Sequence, residues 1–447
     1  MKPEQIRKRF IEFYENLGYL LLPKASMVDP SIPMSFVMSA GLVQVEASLS
    51  RLRERKGSQF VLVQDCFRHF DMDKVGTDDI HLSFFEMPGA FAFGLNEKAK
   101  AVQRMWQFAT SILGIEKEDI WATYFAGGTV LGDYLLEDIE TKQAWLDTGI
   151  SPNRLVGLGP ENNYWIQGRG INGIEIRKCG PNTELFFDRG QNKGCNKNCK
   201  PGCACGRFIE FSNSLFICFE INSEKNALSA LTNPFTETVI GIERVAMILQ
   251  NAKTVFEIDE YKSIFDAMDG YIIADGLEES LVRSSRQIIA DHVRSLYYLV
   301  ANNAPPPGKD GRARIVKMLI RRVITRLLVL GIYPMEILLN ILEAIRKNAP
   351  QELQQEWIQD RFVIYFHSES KRFLRTIERA NRQLSQYLNE GKDRTLSNAQ
   401  IVHLEKNMGM PSLLTAMLLE SKNLFQEVDY SESFGLINGK NVSIYLD

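Results

Sequence analysis

The feature that most constrains this chain is a change of period near residue 250. From about Tyr19 to Gln250, short runs rich in Phe, Ile and Val alternate with clusters of Gly, Asn and Pro. Residues 59–63, 120–125, 184–188 and 208–221 are such runs, and their composition and bounding turns predict strands of one sheet. A helix is expected between them over 96–113, where Ala99, Val102, Met105, Trp106 and Ala109 recur at helical spacing. After about Asn251 the spacing becomes helical almost throughout. Segments 288–301 and 314–330 keep apolar residues three and four apart, and 368–388 is charged and amphipathic. The stiff Pro305-Pro-Pro-Gly-Lys-Asp-Gly-Arg312 turn joins two of these helices. The fold class is therefore α+β: a sheet domain over 1–250, then an all-α domain over 251–447.

Composition narrows the function classes. With 45% hydrophobic and 24% charged residues the chain is ordinary for a soluble globular protein. Its net charge of −3 gives no global field for nucleic acid, so any basic surface is local. No stretch approaches the roughly 18 apolar residues of a membrane span. The charged start, Met1–Phe10, reads as an amphipathic helix and not as a signal peptide. A cytoplasmic setting is expected, and there clustered cysteines are metal ligands or redox groups more often than disulfides.

Four of the seven cysteines, Cys195, Cys199, Cys203 and Cys205, fall within Gly194–Phe208 at spacing C-x3-C-x3-C-x-C. Four thiolates in a Gly/Pro/Asn-rich loop close a tetrahedral Zn²⁺ site and leave no open position for a substrate, which points to a structural metal. The spacing is not that of a standard zinc finger, and an Fe–S cluster, redox thiols or a metal-free loop stay open. Cys66 and Cys218, in strand-like runs, read as small core residues.

Two further segments carry charge in places where it can act. Asp65-Cys-Phe-Arg68 ends a strand-like run, and the return run 82–87 brings Glu86. A guanidinium there suits two phosphate oxygens while a carboxylate reads an amine, although an ion pair at the sheet edge fits the same pattern. Residues 235–249 pass from strand to helix with Gly241 at the joint and Arg244 in the first turn, aimed at a bound anion.

Together these two segments resemble motifs 2 and 3 of class II aminoacyl-tRNA synthetases. His81-Leu-Ser-Phe-Phe-Glu-Met-Pro-Gly-Ala-Phe-Ala-Phe-Gly94, Asn163-Tyr-Trp165, Cys179-Gly-Pro-Asn-Thr-Glu184, Ile209-Glu-Phe-Ser-Asn213 and Ala290-Asp-His-Val-Arg294 are similar to blocks of the alanyl branch. The resemblance covers roughly 3–430 and implies a class II antiparallel sheet flanked by helices, with a helical tRNA-recognition domain and no editing domain. It implies activation of an amino acid by ATP and Mg²⁺, with transfer to a tRNA acceptor stem. By motif, Arg68 takes the α-phosphate and the substrate carboxylate, and Arg244 the γ-phosphate side. Glu184 holds Mg²⁺ or ribose, and Phe84 or Phe85 stacks on adenine.

The amino-acid pocket departs from the family. Where alanyl enzymes read V-D-T-G-M-G-L-E-R, this chain has Thr236-Glu-Thr-Val-Ile-Gly-Ile-Glu-Arg244. Glu237 replaces the ammonium-binding Asp, Val239 fills a glycine position, and Trp165 and Asn213 remain. The substrate is expected to be alanine or a small analogue. In the helical half, Lys309 and Lys406 stand near the base-pair-reading Asn and Asp. Arg312, Arg314, Lys317, Arg321, Arg322 and Arg326 are expected to form a basic RNA-facing stripe, a pattern that a solvated helix face shares. Acyl transfer to a carrier protein or small molecule, or a non-catalytic RNA-binding role, are the alternatives. Oligomeric state is not legible.

Overall fold

The structure, a computed structural model, describes residues 1–28, 59–94, 97–167, 176–222, 227–272, 277–390 and 395–420. It separates into two compact units: Met1–Cys66 with Phe85–Ile258, and Phe67–Phe84 with the chain from Asp259 onward. The second unit thus takes in a short segment that the first encloses in sequence.

Eleven strands are seen among the described residues: β1 (Leu20–Leu21), β2 (Gln59–Phe67), β3 (Phe84–Phe93), β4 (Ile120–Phe125), β5 (Gly128–Val130), β6 (Asp133–Leu135), β7 (Leu155–Leu158), β8 (Tyr164–Ile166), β9 (Ile176–Asp188), β10 (Phe208–Asn222) and β11 (Ala227–Ile240). β5 and β6 form a hairpin, and the other nine make one sheet in the order β1-β2-β3-β11-β10-β9-β4-β7, with β8 also on β9. Its centre is antiparallel, but β1 runs parallel to β2 and β7 parallel to β4, so the whole is mixed. Gly180 is required at the centre: a Cβ there would lie 2.0 Å from the Phe216 carbonyl oxygen.

Helices α1 (Pro3–Asn16), α2 (Lys98–Gln107), α3 (Ile139–Asp147) and α4 (Ile242–Leu249) belong to this unit. α2 continues as a π-helical turn over Phe108–Ile112. In α1, Ile6, Phe10, Phe13 and Tyr14 recur at helical spacing and form its buried face. Trp145 of α3 is wholly buried and donates its indole N–H to Thr183 Oγ1 on β9 at 2.7 Å. That bond marks the face of the sheet that the helices cover.

The second unit is helical: α5 (Asp259–Met268), α6 (Glu279–Ala301), α7 (Gly311–Val329), α8 (Leu338–Asn348), α9 (Glu356–Glu390) and α10 (Ser412–Glu420). The proline-rich turn joins α6 to α7 as expected. Every residue of α6 from Gln287 to Val300 is buried. A helix enclosed on all sides must satisfy its polar side chains internally. Among the described residues no helix is long and apolar enough to cross a membrane.

Candidate active site

Strand register lays a row of residues across the sheet. Thr123 pairs with Glu184, Glu184 with Asn213, Asn213 with Val239 and Val239 with Gly89. Paired residues share a face, and Thr183 next to Glu184 points at α3, so the row faces away from the helices. Simple alternation from Ser212 would turn Glu210 to the helix side. A β-bulge between Glu210 and Ser212 instead pairs Glu210 with Phe186, which restores it to the row's face. Arg244, in the first turn of α4, donates from Nη1 to the Glu210 carbonyl at 2.9 Å and to Glu210 Oε2 at 3.3 Å. Its other N–H groups have no hydrogen-bond partner among the described residues.

Glu184 is the electrostatic centre of this face. Burial, and then the neighbouring Glu210 carboxylate, push its pKa well above the usual carboxylate range, while Arg244 opposes the shift. Asn182 and Asn213 both donate Nδ2–H to Glu184 Oε1, at 3.2 and 3.1 Å. With their nitrogens committed to a carboxylate, the Oδ1 atoms of both amides are buried with no partner among the described residues. Two carboxylates and two orphaned amide oxygens make an acceptor-rich site, which fits a hard divalent cation or an ammonium group.

The remaining pocket residues divide between the two faces. Glu237, 2% exposed, lies opposite Leu215 and Phe91, and two residues on is Val239; both share the row's face. A Cβ at Gly89 would approach Val239 Cγ1 to 3.4 Å, so the valine fills space that the glycine leaves. Trp165 packs against the Phe60, Leu215 and Phe235 cluster. Half-buried Phe85 shares the parity of Gly89 and Phe91 on β3. Two expectations need correction. Phe84 is wholly buried and stacked on Tyr298 at 4.1 Å between centroids, so it is a core residue and not an adenine platform. Glu86 faces the helix layer, where Arg7 of α1 grips both its oxygens at 3.0 and 2.5 Å, so its carboxylate serves an ion pair instead of an amine.

In the second unit, Arg68 is half-buried and its N–H donates to the Ser83 carbonyl at 2.9 Å, which closes the loop between β2 and β3. His69 Nδ1 is buried without a hydrogen-bond partner among the described residues, and Lys74 pairs with Asp71 at 3.2 Å. Lys309, Arg314 and Lys406 are exposed, Arg312 and Lys317 partly so. Arg321 donates to Glu369 at 2.6 Å and covers the Phe373 ring. Arg322 and Arg326 are buried, which removes both from the expected RNA-facing stripe. Two adjacent arginines lie about 100° apart on a helix, so Arg321 and Arg322 cannot share one face.

The cysteine loop joins β9 to β10 at the end of the hairpin. All four Sγ atoms lie within 4.8 Å of one another, with Cys195–Cys203 at 3.5 Å and Cys199–Cys205 at 3.3 Å. Tetrahedral Zn–S bonds of about 2.3 Å set sulfurs roughly 3.8 Å apart, so the donor set fits zinc. The Arg207 backbone N–H lowers the Cys205 thiol to about 6, while burial and then the Cys205 contact raise its partner Cys199 to about 12. At the loop's base Arg207 makes two 2.7 Å bonds to Asp188, which also accepts from Trp121 Nε1 at 3.1 Å.

Sequence reasoning passed over Glu210 and Asn182 at this site. Both lie in quoted blocks, but Glu210 depends on the bulge and Asn182 on its bond to Glu184.

The family described as tRNA synthetases class II (A) matches residues 5–440. Alanine–tRNA ligase of Alkaliphilus oremlandii is 30% identical over 427 residues, 94% of this chain and 46% of that protein. The Clostridioides difficile alanine–tRNA ligase is 31% identical over 429 residues, with the same coverage of 94% and 46%. This chain therefore spans about half the length of the curated relatives it matches. Among solved structures, apo S. aureus histidyl-tRNA synthetase overlaps 57% of this chain and 68% of its own at TM-score 0.33 and 11% identity. A family match of this extent makes the chain a member of the class II tRNA synthetases.

Proposed function

We propose that this chain condenses a small amino acid with ATP to an aminoacyl adenylate and passes the acyl group to a tRNA 3′ end. The observation that carries the reading is the row Glu184–Asn213–Val239, with Glu210 and Arg244 beside it. In the first step an oxygen of the amino-acid carboxylate bonds to the α-phosphorus, and the bond to the bridging oxygen breaks. Pyrophosphate leaves with that electron pair. The protein's part is placement and charge compensation. Arg244, with N–H groups left over from its Glu210 contact, receives the γ-phosphate end of ATP. Arg68 takes the α-phosphate and substrate carboxylate by its place in the family motif, and Phe85 stacks on adenine. Glu184 and Glu210 would hold Mg²⁺, which supplies positive charge to the phosphates when bound. Glu237 receives the substrate ammonium with Val239 narrowing the space beside it, which favours alanine or a small analogue. Zn²⁺ on the four cysteines is structural.

Pyrophosphate exchange across a panel of amino acids tests the activation step. No exchange with any acid would sink it, and exchange driven best by an acid with a large side chain would refute the narrowed pocket. A second reading, acyl transfer to a carrier protein or small molecule, draws on one observation: two of the expected RNA-facing arginines are buried. Exchange activity without charging of total tRNA would favour it.

A further inference from the structure

The polar groups inside the enclosed helix α6 form a circuit that the proposed chemistry leaves unused. Asp291 Oδ1 accepts from the Ser83 N–H at 2.9 Å, and its Oδ2 accepts from Ser83 Oγ. The same carboxylate meets His292 Nδ1 at 2.8 Å. Arg322 of α7 donates from Nε to His292 Nε2 at 2.9 Å, from Nη1 to Asp73 Oδ1 at 2.7 Å and from Nη2 to the Met72 carbonyl at 2.8 Å. An arginine only donates, so His292 Nε2 must be the bare nitrogen and Nδ1 carries the proton to Asp291. The circuit has one direction: Arg322 to His292 to Asp291, with the loop held at both ends. Gly76 marks how close that loop lies to α6. It has φ +81°, and a Cβ there would meet Ser284 Oγ at 2.9 Å.

We propose that Arg322, His292 and Asp291 are positioning residues that clamp the Arg68 loop at Met72–Asp73 and at Ser83, so that Arg68 is presented in one geometry. They touch no substrate; they act through the backbone that carries Arg68, whose own N–H is bonded to the Ser83 carbonyl at the clamped end. The two grips share His292, so loosening one loosens the other. This catalytic consequence rests on the proposed activation by ATP, but the clamp itself does not.

The test uses the full chain with Arg322→Lys, Ser83→Ala and the double variant, and Asp73→Ala as a mild variant of an exposed partner. Hydrogen exchange read by mass spectrometry compares amides of residues 67–84 with those of α6. The clamp predicts that each single variant lowers protection of 67–84 by about tenfold or more while α6 stays protected. The double variant should add much less than the product of the singles, because the network is shared. Pyrophosphate exchange should then lose at least tenfold in kcat/KM for ATP with the melting temperature little changed. Unchanged protection of 67–84, or strictly multiplicative effects, would overturn the clamp. So would kcat/KM kept at the wild-type value per folded molecule while protection falls. If wild type exchanges pyrophosphate with no amino acid, the functional reading fails, and the hydrogen-exchange arms still decide the clamp. Should Arg322→Lys not fold, Ser83→Ala and Asp73→Ala carry the same comparison.

Discussion

Glu184 sits where its charge is costly, and the cost has a measurable sign. Its folded pKa lies above the ordinary value of 4.5, chiefly through burial and then through Glu210. A group shifted upward stabilises the fold fully below its unfolded pKa and loses that contribution as pH rises through the folded one. At neutral pH, where the unfolded chain ionises this carboxyl freely, keeping it in the fold costs stability. Glu184→Gln, which cannot ionise, should raise the melting temperature by a few degrees at pH 7 and by nothing near pH 4. It should also cut pyrophosphate exchange by about 10²-fold, the scale of losing a preorganised electrostatic group. A thermal-shift series across pH checks the first half; a flat difference would show that burial imposes no cost. In the proposed pocket, two residues of β11 would set selectivity. Glu237→Asp with Val239→Gly shortens the carboxylate and clears the space beside it. Because Val239 narrows the wild-type pocket, the pair should shift relative kcat/KM from alanine toward larger acids by about tenfold or more, the effect of a methylene or two in a closed pocket. Competitive exchange between alanine and larger acids reads that ratio directly.

At the scale of elements, the β9–β10 hairpin connects the cysteine loop to the face proposed to bind substrate. Its turn carries the four clustered sulfurs and its base the Arg207–Asp188 pair, and two residue pairs inward lies the bulge that presents Glu210. Removing the metal with a chelator, or replacing Cys203 with Ser, frees the turn but leaves the base intact. The melting temperature should drop by several degrees and exchange should fall, with amino-acid preference unaltered, because Glu237 and Val239 sit on β11. Altered preference after chelation would place the metal in the pocket itself. Metal analysis of the purified chain should give about one zinc per molecule. What could be read from sequence here was local: the cysteine spacing, the Gly-Ile-Glu-Arg joint and the change from strand to helical period each lie within a few residues. The bulge at Phe211 could not be read, since one extra residue leaves no compositional mark. Nor could the fates of Arg321 and Arg322, identical neighbours whose partners, Glu369 and Asp73, lie far away in sequence. The clamp could not be read either: α6 mixes charged and apolar residues in sequence, and only the burial of 287–300 in the fold shows that Asp291, His292 and Arg294 need partners inside.

For the molecule as a whole, charge decides how it can meet RNA. A net charge of −3 supplies no long-range attraction, so under the proposed function affinity for an acceptor stem would rest on a few cations of the helical unit. Arg314, Lys317 and Arg321 follow one another along α7 at helical spacing, and the two arginines depress the Lys317 pKa after burial has done so. Arg321 is largely neutralised by Glu369, which leaves Lys309, Arg314, Lys317 and Lys406 as the candidates for phosphate contact. Each neutralised phosphate contributes about −0.7 to −0.9 to the slope of log affinity against log salt. Four contacts then give a slope of about −3, much shallower than for a protein with a broad basic surface. Arg314→Ala should lower that slope by roughly one and weaken binding across sequences alike. Arg326→Met, which removes a buried charge from the same helix, should leave the slope unchanged. Binding of an acceptor-stem RNA titrated between low and moderate salt separates the two variants. A slope that falls equally for both would mean that the helix as a whole, and not its outer stripe, governs the contact.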